Sequence, residues 1–224
     1  EGDLIMAFYG APIKVDDHAS RAVQGAIEMQ MKLVELRERW VSENRMAPLR
    51  QLWEDQGRGD FFTVRIGINT GEMVVGNMGS RTRVDYTIMG DAVNLASRLE
   101  GAGKAYGVTT MISEDTYRAA REGIQVRELD SIKVVGKDEP VHVYEILGRT
   151  GEIDATLTQA ADLYAEGLAA YRGRKWDEAL SSFEAGLGVR PGDGPCGIFI
   201  DRCRDYKVDP PPEDWDAVYS LDAK

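Results

Sequence analysis

Asn94 and Arg98 lie four positions apart in a stretch whose apolar residues, Val93, Leu95, Ala96 and Leu99, have helical spacing. On a helix, residues four apart point the same way, so an amide and a guanidinium are presented to one object, and such a pair can hold a phosphate. Residue type alone also fits a helix face turned to water. Asp3, beside the small Gly2 and before an apolar run, offers a carboxylate that can reach a hard divalent cation such as Mg2+ or Mn2+; the same Asp fits a strand boundary. Lys133 and Lys137 flank Val134-Val135-Gly136, where basic residues either meet an anion or are simply solvated. Thr87 is a β-branched strand residue whose hydroxyl can accept a hydrogen bond. His18 and His142 lack ligand-spaced neighbours and read as surface or strand residues. The glycines between positions 67 and 79 are followed by no Gly-Lys-Ser/Thr, so they supply turns rather than a Walker loop.

Asn94, Arg98, Asp3, Thr87 and the glycines fall within four motifs that occur in order. They are Gly2-Asp3-Leu4-Ile5-Met6-Ala7-Phe8-Tyr9-Gly10-Ala11-Pro12, Gly67-Ile68-Asn69-Thr70-Gly71-Glu72, Gly76-Asn77-Met78-Gly79-Ser80, and the run Asp85-Tyr86-Thr87-Ile88-Met89-Gly90-Asp91-Ala92-Val93-Asn94-Leu95-Ala96-Ser97-Arg98-Leu99-Glu100. Taken together they resemble the catalytic domain of class III adenylyl and guanylyl cyclases over residues 1–147, without that family's opening strand and helices. The resemblance implies an α+β, ferredoxin-like fold working as a head-to-tail homodimer. It implies that Asn94 and Arg98 orient the ribose and stabilise charge on the transferring α-phosphate of ATP. Asp3 matches one of two metal aspartates; the other is expected upstream of Glu1, so the chain on its own is expected to be inactive. Thr87 matches the position that reads the purine, which favours adenine and leaves guanine open. The usual Lys for the β- and γ-phosphates is replaced by Val135, with Lys133 and Lys137 as candidate substitutes. The implied activity is conversion of ATP to 3′,5′-cyclic AMP and pyrophosphate with two Mg2+ or Mn2+ ions, in intracellular signalling. A guanylate cyclase, and a weakly active regulatory or scaffold module, remain the alternatives.

Composition agrees with a globular protein. Of 224 residues, 43% are hydrophobic and 29% charged, and 27 Lys and Arg against 38 Asp and Glu give a net charge of -11, which disfavours nucleic acid as a partner. Cys196 and Cys203 form neither a disulfide framework nor a zinc pattern, which suits a reducing, cytoplasmic setting. No run approaches the roughly 18 apolar residues of a membrane span.

The elements that must position these groups follow from pattern. Residues 4–9 read as a buried strand and 17–39 as one long amphipathic helix capped by Asp16 or Asp17. Residues 41–60 read as a loop or short helix. Residues 62–69, 72–76, 85–89 and 109–112 read as strands, 92–101 as a helix, and 113–120 as a helix capped by Ser113. Composition shifts after position 150, so two domains are expected, 1–150 and 151–224. The second becomes alanine-rich, with a helical pair across the turn at 172–175 that resembles a tetratricopeptide repeat unit. Such a unit cannot bury its apolar face alone, so it is expected to pack on the first domain, on a protein partner or on a second copy. An acidic, proline-rich tail follows.

Overall fold

The computed structural model describes residues 4–56, 61–79, 84–133 and 139–220. Asp3, Val135 and Lys137 lie outside the described residues.

Helix α1 (His18–Ser42) forms where Ala19, Val23, Ala26, Ile27 and Leu33 recur on one face, and that face is buried. Asp17 stands at its N-cap position, but its carboxylate accepts from the Arg21 side chain at 2.9 Å and not from a backbone N–H. The expected side-chain cap is therefore replaced by an ion pair one turn along. A short α2 (Ala47–Asp55) carries Pro48 in its first turn, where the ring is tolerated.

The main sheet runs in the order β1 (Ile66–Ile68), β4 (Thr110–Ser113), β6 (Val141–Arg149), β5 (Ile124–Lys133), β7 (Tyr219–Ser220). β1 is parallel to β4, and β6 is antiparallel to both β4 and β5. A separate antiparallel ribbon pairs β2 (Val74–Gly79) with β3 (Val84–Met89). Helices α3 (Asp91–Tyr106) and α4 (Glu114–Ala120) follow β3 and β4. Ser113 caps α4 as expected, its hydroxyl accepting from the Thr116 N–H. The class is α+β.

Successive strand residues face opposite sides of a sheet, and β5 uses both. Val126 joins the cluster formed with Val23 and Ile27 of α1 and Ala120 of α4, while Arg127 turns the other way to Asp193. The second face carries the larger core, in which Leu95, Leu99 and Tyr106 of α3 meet Leu129, Ile132 and Val143.

That core continues into α5 (Ala155–Arg172), α6 (Trp176–Val189) and α7 (Gly194–Val208), through Tyr164, Leu168, Tyr171, Phe183 and Phe199. Gly167 lets α5 lie directly on the Phe183 ring, since a Cβ there would sit 2.6 Å from it. The Tyr164 hydroxyl donates to the Leu129 carbonyl of β5 at 2.6 Å. The apolar face of the C-terminal helices is thus spent on α3 and the main sheet.

Several expectations are corrected. Residues 4–9 are not a strand, and Leu4 and Ile5 are 57% and 82% exposed. An extended apolar segment becomes a strand only when its backbone finds a partner, and among the described residues β1 ends the sheet on that side. Of 62–69 only Ile66–Ile68 forms a strand, because β4 pairs with those three residues and Phe62 adopts a positive φ of 56°. α3 runs five residues past the expected end, and α7 makes the C-terminal unit three helices rather than a pair.

Candidate active site

The site is built around α3. Gly90, between β3 and α3, has φ 147°, a conformation that favours glycine, and it turns the chain from ribbon to helix. Asn69, just after β1, donates its amide to the Ala92 carbonyl at 3.0 Å in the first turn of α3. At the other end of β1, Arg65 pairs with Glu100 at 2.8 Å. Between them Gly67 lets the helix backbone approach so closely that an added Cβ would lie 2.1 Å from the Ala96 carbonyl oxygen. α3 is therefore laid antiparallel along β1 and fixed at three points.

Leu95 and Leu99 point into the core from this helix, leaving Asn94 exposed and Arg98 half-buried one turn further on. The Arg98 Nη1 nitrogen is buried and makes no hydrogen bond among the described residues. A buried N–H without a partner costs free energy, of the order of 1–3 kcal/mol and more when the group is charged. An anion arriving at that nitrogen removes the penalty. The Asn69 Oδ1 oxygen is likewise buried without a partner, beside the N-terminus of the same helix. Its place in Gly67-Ile68-Asn69-Thr70-Gly71 lies inside a quoted motif, yet the residue itself was not expected to position the site.

Thr87, half-buried on β3 opposite Gly76, precedes the Gly90 turn and so belongs to the same strand, turn and helix as Asn94 and Arg98. Lys133 stands apart. It ends β5, exposed and paired in register with Ser220 of β7. The antiparallel registers place it at the end of the sheet where α3 begins, but β4 and β6 intervene, so it is three strand spacings, about 14 Å, from β1. Asp3 and Lys137 lie outside the described residues. Among the described residues no three His, Cys, Asp or Glu side chains form a group fit for a metal ion.

α3, laid close to β1 at Gly67, thus carries a guanidinium with an unsatisfied nitrogen and an amide one turn before it. The profile of the adenylate and guanylate cyclase catalytic domain matches residues 1–148. The chain belongs to that family. The cyclase domain is 37% identical over 142 residues to the terminal-differentiation specific adenylate cyclase of Dictyostelium discoideum, covering 62% of this chain and 7% of that protein. It is 32% identical over 155 residues to adenylate cyclase 1 of Rhizobium meliloti, covering 69% of this chain and 21% of that protein. Among solved structures, the adenylyl cyclase CyaB from P. aeruginosa shares 35% identity over 66% of this chain and 68% of that one, with a TM-score of 0.47. The chain thus spans a quarter or less of those two curated relatives. Helices α5 to α7 lie beyond the part matched to the cyclase family.

Proposed function

We propose that this cyclase domain is the catalytic core of an adenylate cyclase, which converts ATP to 3′,5′-cyclic AMP and pyrophosphate at a site completed by a second copy of the chain. The observation that carries the reading is the buried, unpartnered Nη1 of Arg98, one helical turn from the exposed amide of Asn94. In the reaction the ribose 3′-oxygen forms a bond to the α-phosphorus, the α–β phosphoanhydride bond breaks, the hydroxyl proton passes to water and pyrophosphate leaves. Arg98 meets the charge that grows on the α-phosphoryl oxygens, and Asn94 holds the ribose so that its 3′-oxygen stays in line. Thr87 accepts from the adenine amino group. Lys133 or Lys137 would take the place of the lysine that Val135 replaces, meeting the β- and γ-phosphates. Asp3 would hold divalent metal, Mg2+ or Mn2+; when bound, such ions neutralise triphosphate charge and make the 3′-hydroxyl more acidic.

The β2–β3 ribbon supports the homodimer: Val74 and Met89, paired in register on the same face as Thr87, are 65% and 60% exposed, and Val84 and Tyr86 on the opposite face are 59% and 49% exposed, apolar surface suited to a second copy. No helix among the described residues is long and apolar enough to cross a membrane. The proposed setting is cytoplasmic, in intracellular signalling. The proposed boundary near residue 150 separates a cyclase domain from a tetratricopeptide-like unit. Because that unit's apolar face is covered, a protein partner would dock on its polar outer surface.

The test is an assay of the full-length protein with Mn2+ and either ATP or GTP, with chromatographic detection of the cyclic product. Cyclic AMP is expected, and Arg98→Ala should lower turnover by about 10²- to 10³-fold without loss of fold. Arg98→Lys should not restore it, since an ammonium lacks the planar fork. Unchanged turnover in Arg98→Ala refutes the assigned role. Cyclic GMP as the product would mark a guanylate cyclase, and nucleotide binding without product a scaffold.

A further inference from the structure

We propose that Arg202, on the helix beyond the cyclase domain, is a positioning residue for the cyclase site, setting the end of α3 against β5. The inference rests on the adenylate cyclase reading and adds to it a role for the C-terminal unit.

Arg202 is the point where α7 meets α3 and β5. Its Nη1 donates to the Asp130 carboxylate of β5 at 2.7 Å, and its Nη2 to the hydroxyl of Tyr106, the last residue of α3, at 3.1 Å. Tyr106 itself donates to Asp130 at 2.5 Å, which closes a triangle of hydrogen bonds. The same guanidinium lies 3.5 Å from the ring centre of Tyr219 on β7 and 4.7 Å from that of Phe199. Side-chain exposure is 12% for Arg202 and 1% for Asp130, and Tyr106 is fully buried. Beside the triangle α7 touches α3 directly: a Cβ on Gly194 would sit 2.6 Å from the Tyr106 carbonyl oxygen.

These contacts bear on catalysis through geometry. α3 carries Asn94 and Arg98, and β5 ends at Lys133, so one residue of α7 ties together the two elements that hold the candidate phosphate-binding groups. A planar fork fixes both directions at once, whereas a point charge would not. Misplacement of catalytic groups by about 1 Å can cost up to about a hundredfold in rate, even when its cause is far from the chemistry.

The test compares Arg202→Met, the double variant Arg202→Met with Asp130→Asn, and Arg202→Lys in the full-length protein. Arg202→Met leaves a buried unpaired carboxylate and should melt early. The double variant removes that charge and should recover the wild-type melting temperature. Its kcat is nevertheless expected to stay about tenfold below wild type while KM moves by less than about twofold, with Arg202→Lys intermediate. A purely structural role would restore kcat along with stability. A double variant with kcat within about twofold of wild type, or with its loss in KM alone, overturns the proposal. Wild type and Arg98→Ala serve as controls: if wild type forms no cyclic nucleotide, the cyclase reading has failed and this inference with it, and if Arg98→Ala matches an active wild type, α3 does not carry the catalytic group and the positioning role fails. If Arg98→Ala loses turnover and the double variant keeps kcat within about twofold of wild type, only the positioning role has failed.

Discussion

Removing the charge of Asp193 should loosen the C-terminal helices from the sheet by an amount that its contacts allow to be worked out. Both of its oxygens lie 2.9 Å from Nη1 of Arg127, and the side chains of both residues are 2% exposed. Arg127 also binds Glu145 of β6, through Nε at 2.9 Å and Nη2 at 2.5 Å. The two carboxylates hold the Arg127 guanidinium above its ordinary pKa against the opposing effect of burial. Asp193 has a second task as the N-cap of α7, accepting from the Cys196 N–H at 3.0 Å. Asn at this position keeps the cap and loses the charge, while Ala loses both. Stripping one partner from a buried pair costs about 3–5 kcal/mol. Glu145 still compensates Arg127, so Asp193→Asn should cost less, about 2–3 kcal/mol. Asp193→Ala should add about 1 kcal/mol for the lost cap. At about 2–4 °C per kcal/mol for a chain of this size, the two variants should melt about 4–12 °C and about 6–16 °C below wild type by circular dichroism. A shift under about 1 °C for Asp193→Asn, or equal melting of both variants, would refute the reasoning.

Two further outcomes follow from close packing. Gly67→Ala would press its Cβ to 2.1 Å from the Ala96 oxygen and 2.4 Å from the Glu100 nitrogen, both helix backbone, so α3 must lift from β1. The expected cost is about 2–3 kcal/mol in thermal unfolding, with a fall in cyclase turnover, and wild-type melting would contradict the packing. Cys196 and Cys203 are fully buried, and burial pushes each thiol up to about 12. Both should resist Ellman's reagent near pH 8 in the native chain and react only as it unfolds; labelling within minutes would mean that α7 does not pack as described.

What the sequence disclosed and what it hid have a common physical basis. Elements whose apolar spacing is local were legible: α1, α3 and the α5–α6 pair all bury the faces that their periodicity marks. So was the shared helix of Asn94 and Arg98, which depends only on their separation. α7 left a readable signal that went unused, since Cys196, Phe199, Ile200 and Cys203 recur at helical spacing behind Asp193 and Pro195. Residues 4–9 misled because an apolar run states that a strand is possible and nothing about whether a partner edge exists. The arginines were the least legible. Arg127 and Arg202 look like any solvated cation in sequence, and their carboxylates lie 66 and 72 residues away. A buried guanidinium is tolerable only with its complement in place. Neither half of such a pair is therefore recognisable before the fold brings them together. The same holds in reverse for Arg98: its unsatisfied nitrogen is informative only because the surrounding fold supplies Arg127 and Arg202 with carboxylates and supplies Arg98 Nη1 with none among the described residues.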